Sequence, residues 1–208
     1  MAVGLTLFLS FVGTYTYGRT VEQYPLEILS PIIGDLEVVS SDDKCSGKKW
    51  CFNQHKSRAS EDPRSPRYKM GHIPGGGING TDDTYAWDAN LDKDLDAGKP
   101  VYAVAKGNVA ETFAGAPNAG GNYEQVLIEH RLGNTTLWSG YLHLRDIQVK
   151  VGQKVDETTL LGYISNTDPS GQLNNHLHFA VYKGTNTKGG LVSFNAKIIS
   201  RASIFSIK

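Results

Sequence analysis

An excess of charge is the first thing this sequence lacks: 21 lysines and arginines offset 21 aspartates and glutamates over 208 residues. Without a net positive field, nothing recruits phosphates or anionic lipid over a distance, so nucleic acid is set aside as a partner. Methionine is scarce too, at two residues, and no segment has the Ala/Leu/Glu richness or the amphipathic 3.6-residue period of a helical bundle. Cysteine is limited to Cys45 and Cys51. This pair fits one disulfide in an oxidising compartment, two free thiols, or a zinc knuckle completed by His55, although its spacing is wider than structural zinc sites use.

A membrane-spanning run is missing from the N-terminus. The apolar stretch Ala2 to Gly13 suits a signal-peptide core but is too short to cross a bilayer of ~30 Å as a helix. It implies a secreted protein with residues 1–18 as leader and no stable membrane insertion after processing. Against that, the first basic residue is Arg19, after the run, and no Ala-x-Ala site follows; a buried N-terminal strand is the alternative.

What the sequence does have is 23 glycines and ten tyrosines, which point to many tight turns between aromatic-rich strands. One main domain is expected, since a chain of this length with 39% hydrophobic residues can bury a sizeable core. Residues 40–83 are polar, rich in Gly, Pro and Ser, and without sustained periodicity. They read as a partly ordered loop region, and residues 19–83 as an extension forming one wall of a cleft. Short β-branched and aromatic runs then follow: Thr84 to Asn90, Val101 to Ala105, Asn108 to Phe113, Gln125 to His130, Thr136 to Leu144, Leu160 to Ile164 and His176 to Tyr182. Each is bounded by turn residues, and together they predict a mainly β, antiparallel core over 84–208. A faint repeat, a turn leading into a strand at Gly98 to Val101 and again at Gly152 to Val155, is what a duplicated β fold would show.

The chemistry concentrates in a few side chains. In a strand, residues i and i+2 share a face about 7 Å apart, so His176 and His178 line one surface while Leu177 enters the core. Two such imidazoles can share a metal site, one coordinating and one moving protons, or they form an ordinary polar stripe. His143, between Leu142 and Leu144, is expected on the same face as Tyr141, either in a site or as a half-exposed strand histidine. Asp88, after Tyr85 and Trp87, is an unusual charge for a strand interior unless it faces a cleft or a metal. A carboxylate is a zinc ligand at ~2.0 to 2.2 Å, compatible with a three-ligand catalytic site that keeps one position for water. His130, alternating with apolar residues, reads as structural.

The order of these motifs resembles the lysostaphin-like and LytM-like zinc endopeptidases. The resemblance covers Thr84 to Tyr182 and rests on Asp88, then Gly98-Lys99-Pro100-Val101-Tyr102-Ala103, then Gly107-Asn108-Val109. Tyr141-Leu142-His143-Leu144, the turn Val149 to Val155 and His176-Leu177-His178-Phe179 follow in the same order. The resemblance implies a duplicated hybrid motif fold with an open groove for an extended peptide. It implies one Zn2+ per chain held by Asp88 and His178, with His143 and His176 as metal-free catalytic histidines. It also implies an extracytoplasmic monomer that cuts peptide bonds in bacterial peptidoglycan. Thr84 departs from the pattern, because the family's first zinc histidine stands four residues before the aspartate. His72 is the expected replacement: it is flanked by Gly71 and a run of glycines that let the backbone fold back, with His55, Asp82 and Asp83 as alternatives. The departure also leaves open a catalytically inactive wall-binding or regulatory relative. A lipoyl or biotinyl carrier is set aside because the turn from Val155 to Leu160 has no lysine to modify.

Overall fold

The computed structural model describes residues 26–39, 49–54, 85–91, 95–113, 124–165, 175–187 and 190–201. Among these residues there are thirteen strands and no helix. They are β1 (Leu26–Leu29), β2 (Leu36–Val39), β3 (Trp50–Gln54), β4 (Trp87–Asn90), β5 (Pro100–Tyr102), β6 (Gly107–Phe113) and β7 (Glu124–Leu132). Then come β8 (Thr135–Arg145), β9 (Lys154–Val155), β10 (Leu160–Ile164), β11 (Leu177–Gly184), β12 (Leu191–Ser193) and β13 (Ala196–Ile199). The mainly β fold expected from the sequence is what forms, as an open sheet that does not close into a barrel.

Eleven strands make the large sheet, whose main path runs β2-β3-β4-β11-β8-β7-β6-β9. β12 adds to β11, and β10 bridges β8 and β5. All of these pairs are antiparallel except β2 with β3; a separate parallel pair joins β1 to β13, Leu26 opposite Ala196. The seven runs recognised in the sequence correspond to β4, β5, β6, β7, β8, β10 and β11, and Leu160–Ile164 agrees to the residue. Three strands upstream of Thr84 add to them, one of which, β3, lies within the polar stretch read as loop.

Alternation along β11 divides the sheet into two apolar layers. Leu177, Phe179 and Val181 enter the larger core with Trp87, Val126, Ile128, Tyr141 and Leu144. Ala180 and Tyr182 join Ala86, Leu127, Trp138, Leu142 and Leu191 in the second cluster, on the other face. Trp87 and Tyr141 both pack on Phe179, with ring centroids 6.0 Å and 5.3 Å away. Burying each such aromatic contributes about 1.5 to 3 kcal/mol, so β4, β8 and β11 are locked where the site residues lie.

The faint repeat in the sequence has a physical counterpart. Lys99 N donates to Asp96 O at 2.9 Å and Gln153 N donates to Lys150 O at 3.0 Å, closing two equivalent four-residue turns. Gly98 and Gly152 occupy the third position of each with φ of 75° and 82°, a conformation that a type II turn demands and glycine adopts without strain. Each turn feeds a short strand, β5 and β9. The segment after β13 is tied back by Arg201, fully buried, whose guanidinium donates to the carbonyls of Ser30 (2.7 Å), Ala103 (2.6 Å) and Glu157.

Candidate functional site

Three strands deliver the site. Register places Asn53 of β3 opposite Asp88 of β4, and Asp88 opposite His178 of β11. Directly paired residues point to the same face, so the three side chains form a row across the sheet. They stand on the same side as Ala86 and Ala180, at the end of the second apolar cluster. Water is excluded there: His178 is fully buried and Asp88 only 7% exposed. A carboxylate held in such a place needs charged or hydrogen-bonding partners to offset its desolvation. His178 provides one, its Nδ1 lying 3.2 Å from Asp88 Oδ1, and His176 Nε2 is 3.6 Å from the same oxygen. The sequence expectation that His176 and His178 share a face while Leu177 enters the core is met.

His143 reaches the site by a different route from the one expected. Regular alternation puts it with Tyr141 and puts Leu142 with Leu144. In the structure, Tyr141 and Leu144 are both in the larger core, while Leu142 is in the opposite cluster. Register accounts for this: Val126 pairs with Tyr141 and Glu124 with Leu144, so Leu142 and His143 together face the single residue Gln125. This is a β-bulge, which re-aims a side chain at a local cost in backbone conformation. His143 carries φ of 63°, a left-handed value rare for a residue with a Cβ. Its ring consequently lies 4.6 Å from that of His176 and 6.0 Å from that of His178, both edge-on. Nothing in the local sequence marks the bulge, because His143 is flanked by leucines on both sides.

The donor chemistry suits a cation. Two ligands at ~2.0 to 2.1 Å from a tetrahedral zinc stand roughly 3.3 Å apart, close to the separation of Asp88 Oδ1 and His178 Nδ1. A third observation comes from Asn53, whose Oδ1 is buried with no hydrogen-bond partner among the described residues while its Nδ2 lies 3.3 Å from Cys51 Sγ. An unsatisfied acceptor in register with Asp88 adds oxygen character to this end of the row. Asn53 went unnoticed in the sequence, since only the β3–β4 pairing brings it here. Among the described residues no group of three His, Cys, Asp or Glu is arranged to hold a metal, so Asp88 and His178 supply two donors and no more. His72, expected as the third, and the alternatives His55, Asp82 and Asp83 lie outside the described residues, as does Thr84. Cys51 is disulfide-bonded, and Cys45 is the only other cysteine, so the bridge reading replaces both the free thiols and the knuckle with His55.

His130 is buried on the other face of the sheet and takes no part in this cluster. Its pKa lies below the ordinary 6.5, chiefly because burial penalises the charged ring, opposed by the bond to the Lys106 carbonyl and by Glu157 and Glu129.

The profile of peptidase family M23 matches residues 89–189, a range that contains His143, His176 and His178 and begins one residue after Asp88. Comparison with curated proteins finds no match. Among solved structures, a zinc-containing peptidase of Vibrio cholerae is 27% identical over 52% of this chain and 28% of its own, with a TM-score of 0.37. The catalytic domain of lysostaphin from Staphylococcus simulans is 24% identical over 51% of this chain and 72% of its own (TM-score 0.39). A Ruminococcus gnavus protein described as a glycyl-glycine endopeptidase, lytM, is 17% identical over 82% of this chain and 63% of its own (TM-score 0.46). Of the first three structures matched, the chain covers 28%, 40% and 43% of the length.

Proposed function

We propose that this protein, whose residues 89–189 match the profile of peptidase family M23, is a secreted zinc endopeptidase that hydrolyses peptide bonds of bacterial peptidoglycan. The observation that carries the reading is the convergence of His178 and His176 on one carboxylate oxygen of Asp88, 3.2 Å and 3.6 Å away respectively, with the His143 ring against that of His176. Asp88 and His178 would hold one Zn2+ per chain, with His72 completing the protein ligands, and the metal would supply a lowered pKa for water, towards ~7, and polarisation of the scissile carbonyl.

The remaining steps belong to the chain. His143 and His176, outside the ligand set, accept the proton lost by the attacking water and return one to the departing amide nitrogen, since an imidazole can both accept and donate a proton. A donating imidazole also stabilises the charge that develops on the carbonyl oxygen, a contribution commonly worth ~3 to 4 kcal/mol. Burial of His178 and Asp88 keeps the dielectric low, so a fixed proton donor acts more strongly than it would in water. A monomer suffices because all of these residues come from one chain.

The test is a comparison of variants by metal content and by release of peptides from purified peptidoglycan. The wild type is expected to carry about one zinc and to lose hydrolysis on chelation. Asp88→Ala, His178→Ala and His72→Ala are expected to lose zinc, whereas His143→Ala and His176→Ala keep it and lose turnover. Full-rate lysis without metal refutes the reading. A zinc-loaded, active His72→Ala protein moves the third ligand to His55, Asp82 or Asp83.

A further inference from the structure

We infer that the buried hydrogen-bonded chain from Lys106 through His130 and Ser139 to Tyr141 is the positioning device for His143, holding one end of the bulge that turns its ring into the site. The inference rests on the reading of His143 as a proton carrier.

The chain lies on the face opposite the candidate site. His130 Nδ1 is 2.9 Å from the Lys106 carbonyl, and its Nε2 is 2.7 Å from Ser139 Oγ. The Ser139 and Tyr141 hydroxyls are 3.0 Å apart, and Val104 N donates to the Tyr141 oxygen at 3.0 Å. All three side chains are buried, at 4%, 0% and 0% exposure. Donor and acceptor inventory fixes the proton order. A carbonyl only accepts, so Nδ1 of a neutral His130 carries the hydrogen and Nε2 must accept from Ser139. Ser139 then has no hydrogen left for Tyr141, and the phenol donates to Ser139 Oγ. Read this way, the order Tyr141 to Ser139 to His130 to Lys106 satisfies every donor, with Val104 N–H capping the start.

Such a closed chain makes Tyr141 hard to move. Its phenol pKa is pushed up to about 12, mainly by burial, so it remains a donor throughout the working pH range. Tyr141 is the residue just before the bulge, and Leu144, just after it, is fully buried and paired with Ile164. Ser165 N donates to the His143 carbonyl at 2.9 Å. The left-handed His143 backbone costs roughly 1 to 3 kcal/mol and persists only where its surroundings over-determine it. With both ends pinned to the core face, the extra residue has nowhere to go but outward, towards His176. Without the bulge, regular alternation from Tyr141 would put His143 on the core face and Leu144 on the opposite face with Leu142.

The experiment uses the full chain with zinc and histidine-labelled NMR, comparing Tyr141→Phe and Ser139→Ala with a control, Val181→Ala. Val181 sits in the same core, opposite Ser139, and has no polar link to the relay. The relay variants are expected to weaken the His143–His176 inter-ring cross-peak and shift the His143 ring resonances. Their kcat for peptide hydrolysis should fall about tenfold to a hundredfold, with KM and zinc content within about twofold. The control is expected to lose stability while keeping the cross-peak. Folded relay variants with an unchanged His143–His176 cross-peak overturn the inference, as does a control that loses it equally. If Tyr141→Phe fails to fold, Ser139→Ala alone decides. If the wild type hydrolyses no peptidoglycan, the proposed function fails, yet the cross-peak still judges the positioning role.

Discussion

Gly107→Ala offers the sharpest test of how β6 and β7 are brought together. An added Cβ would stand 2.4 Å from the Glu129 carbonyl oxygen, 2.7 Å from Ile128 Cγ2 and 2.9 Å from His130 Nδ1. The first contact is the decisive one. A carbon and an oxygen separate to more than 3 Å in real structures, and a backbone carbonyl inside a paired strand cannot swing aside as a side chain can. β6 must therefore retreat from β7 where Asn108 pairs with Glu129. Overpacking of this kind costs about 1 to 3 kcal/mol. The retreat also lengthens the bond between His130 and the Lys106 carbonyl, adjacent to Gly107, and a buried pair lost this way costs a further ~1 to 2 kcal/mol. Together the loss is about 2 to 5 kcal/mol, a large part of the ~5 to 15 kcal/mol that holds a typical domain folded. For a chain of this size that amounts to a fall in Tm of about 5 to 15 °C. Urea and thermal unfolding measure it, with Gly162→Ala as comparison, where the nearest atom to the new Cβ is the Arg145 carbonyl oxygen at 3.0 Å and a smaller loss is expected. A Gly107→Ala protein within about 1 kcal/mol of wild type, or no worse than Gly162→Ala, refutes the steric account.

His130→Gln tests the buried imidazole through pH. Its folded pKa is depressed, so its contribution is complete above the unfolded value of 6.5 and is lost as pH falls below it; the variant's stability should therefore depend less on pH in that window, and parallel curves for the two proteins count against a neutral His130. Arg201→Met leaves the carbonyls of Ser30, Ala103 and Glu157 without their donor and is expected to cost about 3 kcal/mol or more by chemical denaturation, with Arg201→Lys recovering only part. Reducing the Cys45–Cys51 bridge opens a short loop, for which chain-entropy arguments give about 2 kcal/mol; equal Tm values with and without reductant exclude that contribution.

The legible parts of this fold are those whose evidence is local. Leu160–Ile164 is an apolar run between turn signals, and the Gly98 and Gly152 turns announce themselves by residue type. The His176 and His178 pair follows from a period of two, which β11 obeys from Leu177 to Tyr182 in the alternation of its residues between the two apolar clusters. β1 escaped because its partner is remote: Leu26 pairs in parallel with Ala196, and no local pattern encodes that. β3 was obscured by its polar surroundings, although Trp50, Cys51 and Phe52 are all buried. The same limit hid Asn53, whose position matters only through its register with Asp88.

His143 marks a deeper boundary, because the rule that located His176 and His178 misplaces it. Strict alternation assumes that each strand residue opposes one partner residue, and Leu142 with His143 against Gln125 breaks that assumption by a single residue. The break is decided by what lies on either side: Tyr141, held through its phenol, and Leu144, held by burial, both belong to the core. The orientation of a side chain in the candidate site is thus fixed by hydrogen bonds on the opposite face of the same sheet. It follows that the residues most informative about this site are not all in it. A substitution at Ser139, fully buried and with no contact to Asp88, His176 or His178 in register, should disturb His143 more than a change of equal size at an exposed position near the rim.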